Sequence, residues 1–478
     1  MKVNIPASAA GERLSDYLAR SGYRLAGPCG GRGTCGKCRV KTSDGRTLLA
    51  CRTVCPPEGL TVFFDEAAGE GLTVEADDER IPETCSLALD VGTTTLALAA
   101  VDPSGGRVFA ARSCLNPQHV FGADVITRIG RSGTDLAAMQ ACVAEAVRDM
   151  ASGLPKAEKM TVAGNPTMLS LLAGVSPEPM GRAPFTPAFI ARQTFSGQSL
   201  GLPAEEVFFL PGASAFVGAD VLAGILHTGM LRETAPVLLM DVGTNGEMAV
   251  WDPAKKKLTV TSAAAGPALE GADISCGIGG VKGAVNRVKT ENGRFYFETV
   301  GGEEPRGLCG SGLIDLVACL LKEGYVDETG FLEDDPFVLR GFRVKNGNAA
   351  AAETEALTLT QKDIRALQLA KAAVRAGLET LLDVAGIPKE ALSRVYLAGG
   401  MGSYVSGLSA ARIGLIPARF LPVLKPVGNS ALAGAVDALK DPAALDEIAA
   451  CAETVALNDV PAFSDRFIDE MIFPEEEE

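Results

Sequence analysis

The chain has 478 residues and is 47% hydrophobic, enough for several buried cores. Its 44 Lys and Arg residues are outnumbered by 59 Asp and Glu residues, and the net charge of -15 argues against general binding to nucleic acid or an anionic membrane. No apolar run reaches the length of a membrane span, and the N-terminus lacks the apolar core of a signal peptide. We therefore expect a cytoplasmic protein with no nucleic-acid or membrane partner.

The first predicted unit is a glycine-rich cysteine module. A short helix is predicted at residues 12–20, and Cys29, Cys35, Cys38 and Cys51 follow with gaps of five, two and twelve residues. Thiolates on a glycine-rich loop suit an iron-sulfur cluster, because the backbone can wrap closely and point N–H groups at the sulfurs. No histidine lies near, so a Cys/His zinc site is excluded, whereas an all-cysteine zinc site stays open.

This module resembles the [2Fe-2S] ferredoxin domains through CGGRGTCGKC and LACRT, with the five-residue first gap of the adrenodoxin-like branch. The resemblance covers about residues 1–65 and implies a [2Fe-2S] cluster held by the four cysteines, with structural zinc or plain thiols as alternatives. Ferredoxins usually place the fourth cysteine farther downstream, which makes Cys55 a competing ligand. We favour Cys51 because it lies in the LAC context of the family.

Residues 66–84 are acidic and poor in large apolar side chains, which predicts a linker. About 19 flexible residues have a root-mean-square span of roughly 25 Å, so the cysteine module could move between an electron donor and an acceptor. The alternative is that Leu72 to Val74 forms a strand docked on the next domain.

A polar hairpin tip follows in LALDVGTTTLALAAVD, residues 87–102. Its first apolar strand ends at Asp90, and the turn contains Gly92, Thr93, Thr94 and Thr95. Backbone N–H groups and hydroxyls at such a tip can meet phosphate, and the aspartate can meet a hydrated divalent cation. Asp-x-Gly-Thr is also ordinary turn chemistry, so the hairpin alone does not decide between these readings.

A second hairpin repeats this pattern in residues 235–252. Asp241, Gly243 and Thr244 lie 151 positions after their counterparts, and Asn245 and Gly246 complete the turn. Each hairpin is followed by a turn and a third strand. The recurrence predicts a duplicated fold.

A third glycine loop, with Gly399, Gly400, Met401 and Gly402, follows an apolar strand that begins at residue 394. Glycines there would let the backbone approach a flat ligand or a sugar. Ahead of it, a Thr360-x-x-Asp363 capping pattern begins a long helix. Residues 307–321 predict a glycine loop entering a buried helix, in which Cys309 and Cys319 are packing residues.

The three loops together resemble the actin-like ATPase superfamily, over about residues 86–470. The resemblance implies two ribonuclease-H-like lobes that close on Mg-ATP, with Asp90 and Asp241 near the metal-bound waters. It places the first two loops on the phosphates and the third at the adenosine. The predicted fold is α/β with an α+β N-terminal module. Its parts are a [2Fe-2S] ferredoxin-like domain (1–65), an acidic linker (66–84), a first ATPase lobe (85–235), a second ATPase lobe (236–470) and an acidic tail (471–478).

Other polar residues carry weaker signals. Glu270, in GPALEGAD, either faces the nucleotide or has a structural role. Glu247 either orients the attacking water or lies on a strand face. We expect no catalytic role for His119 and His227, the only histidines.

The whole combination resembles the reductive activators of corrinoid proteins, which use ATP to return an inactive Co(II) corrinoid partner to Co(I) for methyl transfer. The motifs behind the resemblance are AGNPTMLSLLAG (163–174), PFTP (184–187), AAGPALEGADISCGIGG (264–280) and GLCGSGLIDL (307–316). It implies a [2Fe-2S] cluster, ATP and Mg2+ as cofactors. The implied partners are a corrinoid protein and an electron donor, with a second copy of the chain if it forms a homodimer. Long members of the family carry a further domain between cluster and ATPase, where this chain has only the predicted linker.

Two other functions fit part of the sequence. One is an ATP-dependent electron donor to another low-potential enzyme, as in the activators of 2-hydroxyacyl-CoA dehydratases. The other is a small-molecule kinase of the actin-like superfamily with an accessory iron-sulfur module.

Overall fold

The computed structural model describes residues 2–20, 38–63, 73–75, 81–103, 106–345, 347–350, 353–399 and 405–475. Cys29 and Cys35 of the predicted cluster loop, and Gly400, Met401 and Gly402 of the third glycine loop, lie outside the described residues. In the described part of the chain, no helix is both long enough and apolar enough to cross a membrane.

The N-terminal module is a four-stranded antiparallel sheet with one helix. Its elements are β1 (Lys2–Ile5), α1 (Leu14–Arg20), β2 (Arg39–Thr42), β3 (Thr47–Leu49) and β4 (Leu60–Phe63). The strand order is β1-β4-β2-β3. Alternate residues of β1 and β2 are buried, as expected for a sheet with one covered face, and Leu14 and Leu18 of α1 join the same core. The helix predicted at residues 12–20 is confirmed.

Part of the predicted linker is a strand. Thr73–Glu75 forms β5, which pairs antiparallel with residues 110–112 at the edge of the first large sheet. Two of its three residues are β-branched, which favours an extended strand. The sequence allows a docked strand from Leu72 to Val74 as the alternative to a linker. The structure contains such a strand, at Thr73–Glu75.

The first lobe is a seven-stranded sheet with helices. Its remaining elements are β6 (Thr84–Val91), β7 (Thr95–Val101), β8 (Val108–Leu115), α2 (Val125–Ala151), β9 (Lys156–Gly164), α3 (Pro166–Leu172), β10 (Gln193–Ser196), α4 (Gly197–Leu200), β11 (Glu206–Phe209) and α5 (Ala219–Thr228). The strand order is β10-β11-β9-β6-β7-β8-β5. Strands β6, β7 and β8 form an antiparallel meander, β9 runs parallel to β6, and β11 runs parallel to β9.

The second lobe repeats this arrangement around a large insertion. In chain order its elements are β12 (Val237–Val242), β13 (Gly246–Asp252), β14 (Lys257–Ala263), β15 (Ala284–Glu291), β16 (Arg294–Thr299), β17 (Gly307–Leu308), α6 (Gly310–Lys322), β18 (Phe337–Lys345), β19 (Asn348–Ala349), β20 (Thr354–Leu359), α7 (Gln361–Ala385), β21 (Arg394–Ala398), α8 (Gly407–Arg412), β22 (Leu424–Gly428), α9 (Ser430–Asp437), α10 (Ala444–Cys451), β23 (Ala452–Thr454) and α11 (Ala462–Asp469).

The two lobes share one topology. The second sheet has the order β22-β21-β12-β13-β14-β23, with an antiparallel β12-β13-β14 meander, β21 parallel to β12, and β22 parallel to β21. The same order and directions relate β11, β9, β6, β7 and β8 in the first lobe. The repeat of the two hairpins in the sequence is therefore a repeat of the fold. Strands β15 to β20 form a third sheet, inserted between β14 and α7.

Two buried helices have the positions that the sequence predicts. Thr360 and Asp363 form a reciprocal capping box at the start of α7, and α6 follows the glycine loop at residue 310 with Cys319 buried. The predicted acidic tail is packed at its start. Phe473 is 1% exposed, and Lys371 of α7 donates a hydrogen bond to the Ile472 carbonyl at 2.6 Å. The second lobe therefore extends past residue 470, because the apolar side chain of Phe473 is part of its buried core.

Helices α5 and α9, which follow β11 and β22, cross with their backbones in contact. A Cβ atom on Gly434 would lie 1.9 Å from the Ala223 carbonyl oxygen, and one on Gly224 would lie 2.7 Å from the Ser430 hydroxyl. Both distances are below any real Cβ contact. Glycine is therefore required at both positions of this crossing.

Candidate functional site

The tips of the β6-β7 and β12-β13 hairpins face each other in one cleft. Thr94 and Thr244 place their hydroxyl oxygens 3.3 Å apart, and both hydroxyls donate to Oε2 of Glu270, Thr94 at 2.6 Å. The residues that line the cleft are Asp90, Gly92, Thr93, Thr94, Thr95, Asn165, Asp220, Val221, Asp241, Gly243, Thr244, Asn245, Glu247, Glu270, Gly399, Asn429 and Ala431. The cleft thus brings together most of the predicted site residues from both lobes.

The two aspartates have equivalent positions in the duplicated fold. Asp90 lies on β6 between Ala97 of β7 and Ala163 of β9. Asp241 lies on β12 between Glu247 of β13 and Ala398 of β21. Each aspartate is the penultimate residue of its strand. Both carboxylates therefore lie at the end of the strand where the hairpin turn begins.

A glycine at the end of the neighbouring parallel strand faces the residue that follows each aspartate. Gly164 and Gly399 both have positive φ, of 156° and 100°. A Cβ on Gly164 would lie 2.9 Å from the Val91 carbonyl, and one on Gly399 would lie 2.6 Å from the Val242 carbonyl. These glycines occupy corresponding positions of the two lobes. AGN at residues 163–165 is therefore the first-lobe counterpart of the predicted third loop.

The cleft concentrates five carboxyl groups. Burial, followed by repulsion from neighbouring carboxylates, raises the pKa of Asp90 to about 7 and that of Asp241 to about 8. Burial also raises the pKa of Asp220 to about 6, and raises the pKa values of Glu247 and Glu270. The Asn429 side chain partly offsets the effect at Asp90 by donating a hydrogen bond to Oδ2 at 2.7 Å. A divalent cation near these acids would stabilise their ionised forms.

The raised pKa values predict that the ligand-free protein loses stability as pH rises. Between about pH 4 and pH 8 the native cleft holds protons that the unfolded chain has released, so the free energy of unfolding falls with increasing pH. Urea titrations between about pH 5 and pH 8 without divalent cation measure this slope. The double variant Asp90→Asn, Asp241→Asn should show a shallower decline, and an unchanged slope would contradict the prediction.

A buried arginine of α2 bonds the backbone of the first hairpin turn. Arg128 is 0% exposed, and its guanidinium donates to the carbonyl oxygens of Thr93 at 2.6 Å and Gly122 at 2.9 Å. Burial lowers its pKa to about 10, so it stays charged at neutral pH. Asn165 holds the same loop by donating to the Thr93 hydroxyl at 3.1 Å. The first tip is therefore fixed through both its backbone and its side chain.

A second cavity, of ≈ 530 Å³, lies beside α8, the helix that follows the third glycine loop. Its walls come from α6, α8 and strands β15, β16 and β18 of the inserted sheet. Basic side chains line it although the chain as a whole is acidic, namely Arg287, Lys289, Lys322 and Arg412. The cavity can therefore receive a ligand that carries negative charge.

Some predicted residues lie elsewhere or have other partners. A Cβ on Gly246 would lie 2.8 Å from Val374 of α7, so this glycine faces the helix and not the cleft. His227 pairs with Asp437 at 2.8 Å, and His119 contacts the Asn116 carbonyl at 3.0 Å. Glu247 is 8% exposed and lines the cleft, which leaves it available to a ligand there.

In the N-terminal module, two of the predicted cluster ligands are in contact. The Sγ atoms of Cys38 and Cys51 lie 3.3 Å apart, and both residues are buried. Cys55 is also buried, and its backbone is bonded to that of Glu12 and Gly11. Burial, followed by the charge of Glu12, raises the pKa of the Cys55 thiol. Among the described residues, no group of three or more His, Cys, Asp or Glu side chains is arranged to hold a metal ion.

Comparison with known families places this fold. Residues 235–478 match the C-terminal domain of RACo, the ASKHA domain, and residues 85–233 match the RACo middle region. The chain belongs to the RACo family. The resemblance to corrinoid-protein activators drawn from the sequence motifs is thereby confirmed, as is an actin-like C-terminal domain.

Named RACo-like relatives cover much of the chain. The corrinoid activation enzyme RamQ of Eubacterium limosum is 33% identical over 386 residues, which are 75% of this chain and 64% of RamQ. The [Co(II) methylated amine-specific corrinoid protein] reductase of Methanosarcina barkeri is 28% identical over 336 residues, 63% of this chain and 59% of the reductase. The chain spans less than two thirds of the length of these curated relatives.

A solved structure extends the RACo likeness to the whole fold. It is described as a reductive activator for a corrinoid, iron-sulfur protein, and it is 27% identical with a TM-score of 0.74. The match covers 99% of this chain and 96% of that one.

Sequence reasoning missed three cleft residues of this RACo-family chain, Asn165, Asp220 and Asn429, and the buried Arg128 that bonds the first hairpin. Asn165 and Asn429 cap the helices α3 and α9, and Asp220 lies in the first turn of α5. A polar residue directly after a parallel strand was the available signal for the first two. Arg128 gave no signal, because an arginine inside a helix normally lies at the surface.

Proposed function

We propose that the protein uses ATP to reactivate a corrinoid protein, passing an electron from a [2Fe-2S] cluster to return inactive Co(II) to Co(I) for methyl transfer. The observation that carries this proposal is the cleft in which the two duplicated Asp-x-Gly-Thr hairpins meet. It occurs in a RACo-family chain whose relatives are named for corrinoid activation and reduction.

The cleft suits the phosphate and cation end of Mg-ATP. The turns at Gly92 and Gly243 offer backbone N–H groups, and the Thr93 hydroxyl, which accepts a hydrogen bond from Asn165, can donate its own hydrogen to a phosphate oxygen. Mg2+ usually keeps several waters and binds through few carboxylates together with substrate phosphates. Asp90 and Asp241, with Glu270 and Asp220 nearby, would hold the ion largely through its water shell. Glu247 is then the candidate for orienting the attacking water.

The nucleoside end would extend along the third glycine loop. Gly399 lines the phosphate cleft, and Ser406 and Ser409, just past that loop, line the basic cavity beside α8. We therefore assign the phosphates to the cleft and the nucleoside to the cavity.

The N-terminal cysteines fit a shared metal centre. Two sulfurs bound tetrahedrally to one metal at about 2.3 Å lie roughly 3.8 Å apart, close to the 3.3 Å between Cys38 and Cys51. We propose that these two cysteines share one iron and that Cys29 and Cys35 hold the other. When bound, the cluster supplies a one-electron carrier with a potential near about -400 mV in plant-type examples.

ATP would supply the driving force that the cluster lacks. Moving one electron uphill costs about 2.3 kcal/mol per 100 mV. A ligand can shift such an equilibrium only through different affinities for two states. We propose that the nucleotide changes the closure of the two lobes, and that closure favours the partner state whose cobalt is easier to reduce.

The test is anaerobic mixing of the reduced protein with a Co(II) corrinoid protein, followed by visible spectroscopy of Co(I). We expect Co(I) to form with Mg-ATP and not with Mg-ADP. Equal reduction without nucleotide would overturn the ATP coupling. Phosphorylation of a small metabolite, surviving replacement of Cys38, would indicate a kinase instead.

Arg128 offers a prediction about the phosphate loop. Replacing it by methionine removes a buried bond to the Thr93 carbonyl of the loop and another to the Gly122 carbonyl, so we expect ATP turnover to fall about 10- to 100-fold. Arg128→Lys keeps the positive charge but lacks the several N–H donors of the guanidinium group. Its ATP turnover should therefore lie between those of the methionine variant and the parent protein. ATPase kinetics with separate kcat and KM measure both effects.

The control is Arg131→Met, which removes a partly exposed arginine from the same helix, three residues away. It should leave ATP turnover close to that of the parent protein. Equal losses in the two methionine variants would show that Arg128 has no special link to the loop.

A further inference from the structure

Glu270 joins the two hairpin turns through one oxygen atom. Its Oε2 accepts a hydrogen bond from the Thr94 hydroxyl of the first lobe at 2.6 Å and another from the Thr244 hydroxyl of the second lobe. The two hydroxyl oxygens lie 3.3 Å apart, so a single acceptor serves both donors. The other carboxyl oxygen, Oε1, lies over the second turn, where a Cβ on Gly243 would be only 3.3 Å from it. The carboxyl group therefore lies between the two hairpin tips.

The same two donors suit an anionic oxygen of a ligand. Carboxylate and phosphate oxygens both accept hydrogen bonds from hydroxyl groups, and a charged acceptor makes these bonds strong. Burial raises the pKa of Glu270, while the hydroxyls of Thr244 and Thr94 and the charge of Arg128 favour its ionised form. Both hydroxyls lie at the turns to which the proposed function assigns the ATP phosphates. Glu270 thus makes, within the chain, the contacts that a phosphate oxygen could make.

A phosphate and Glu270 compete for the same hydrogens. Each threonine hydroxyl has one hydrogen to donate, and a hydrogen donated to Glu270 is not available to a phosphate oxygen. Two anions at this place also repel each other. Thr94 and Glu270 are only partly buried and line the cleft, so a ligand can reach their contact. The backbone can stay in place during an exchange, because Leu269, next to Glu270, is fully buried in the core of the second lobe.

We infer that Glu270 is a displaceable latch between the lobes, in which its carboxylate and a phosphate of ATP take the hydroxyls of Thr94 and Thr244 in turn. This inference rests on the proposed use of ATP. It deepens that proposal, because it names a contact through which the nucleotide regulates the approach of the two lobes. ATP binding exchanges one bridge between the hairpin tips for another, and the hydrogen bonds lost at Glu270 reduce the affinity for ATP.

The experiment measures ATP binding to the full chain by calorimetry in the presence of EDTA, so that a contribution of Glu270 to cation binding does not enter. We expect Glu270→Ala to bind ATP about tenfold more tightly than the parent protein, because no carboxylate has to be displaced. Glu270→Gln keeps an acceptor oxygen but loses the charge, so its affinity should lie between those of the parent protein and the alanine variant. If Glu270→Ala does not fold, the gain in Glu270→Gln decides the question.

Thr94→Val tests whether Glu270 and the phosphate share a hydrogen. In the parent protein this change removes a donor from both competitors, so the affinity for ATP should stay within about threefold. In the Glu270→Ala background the Thr94 hydroxyl serves only the phosphate, and its loss should weaken ATP binding about tenfold. Additive effects of the two substitutions would overturn the latch, because they would show that the two anions do not use the same hydroxyl.

Asp273→Asn is the matched control for the loss of a negative charge. Asp273 lies three residues after Glu270, is exposed, and has a positive φ of 60° that asparagine tolerates. The affinity of this variant for ATP should equal that of the parent protein. Equal gains in Asp273→Asn and Glu270→Ala would assign the effect to net charge and overturn the latch. Unchanged or weaker ATP binding in Glu270→Ala would overturn it as well.

The same measurements separate this inference from the proposed function. A parent protein that binds no adenine nucleotide, with or without Mg2+, would refute the ATP-dependent function itself. A parent protein that reduces Co(II) with ATP, and whose Glu270→Ala variant gains no affinity for ATP, would refute only the latch.

Discussion

Replacing Asp241 by asparagine should lower ATP-dependent Co(II) reduction by about 100-fold while the N-terminal cysteine module keeps its visible spectrum. Asp241 has the highest pKa of the three cleft aspartates, about 8, because it is buried beside Asp220, Asp90 and Glu270. A hydrated cation would lower that pKa and hold the carboxylate ionised. Asparagine has the same shape but no charge, so it cannot hold the ion. Steady-state ATPase assays and Co(I) spectra measure the loss.

The stability of this variant distinguishes a functional from a structural defect. Removing a charge from a crowded cluster should leave the free energy of unfolding of the ligand-free protein unchanged or raise it at pH 8, since the native carboxyl is costly to ionise. Asp437→Asn serves as the control and should retain activity, because Asp437 is a half-exposed partner of His227 outside the cleft. A fully active Asp241→Asn variant would exclude a role for Asp241 at the cation.

Replacing Cys38 or Cys51 by serine should abolish the cluster absorption and the reduction of Co(II), while ATP binding persists. Serine oxygen is a poor ligand for iron compared with a thiolate, and both Sγ atoms, 3.3 Å apart, are the proposed ligands of one metal. Iron and sulfide analysis, visible spectra and nucleotide calorimetry on each variant test the separation of the two functions.

Cys55→Ser is the matched control in the same small core. Cys55 is as buried as Cys51, and its backbone is bonded to the loop that precedes α1. We expect this variant to keep its cluster. Loss of the cluster in Cys55→Ser but not in Cys51→Ser would reverse the choice of the fourth ligand. A zinc-containing, colourless parent protein would contradict the cluster altogether.

Hairpins and capped helices were predictable because their signals are local. Asp90 and Asp241 end apolar strands and are followed by Gly-Thr, so strand, turn and polar tip are all readable within a few residues. The capping box of Thr360 and Asp363 is equally local. Repetition of the hairpin then predicted the duplication, which the shared strand order of the two sheets confirms.

Contacts between distant segments could not be read in the same way. The approach of Thr94 to Thr244 joins residues from different lobes, and Asn429 reaches Asp90 across more than 300 positions. A single sequence contains no signal for such pairs. Residues 73–75 lie in a segment rich in acidic residues, and for this reason the sequence predicts a linker there. They form strand β5 because they pair with the edge of β8, which lies more than 30 residues away in the chain.

The glycine crossing of α5 and α9 sets how closely the two lobes pack. Gly434 places its backbone against the Ala223 carbonyl, and Gly224 leaves room for the side chains of Ser430 and Leu239. The buried residues around the crossing belong to one cluster that includes α5, α9, β6, β9 and β12, so a change in the angle between the helices would repack a core that both lobes share. Replacing Gly434 by alanine would push a methyl group against the Ala223 carbonyl and force the helices apart. The spacing of the lobes at this crossing thus depends on two missing methyl groups.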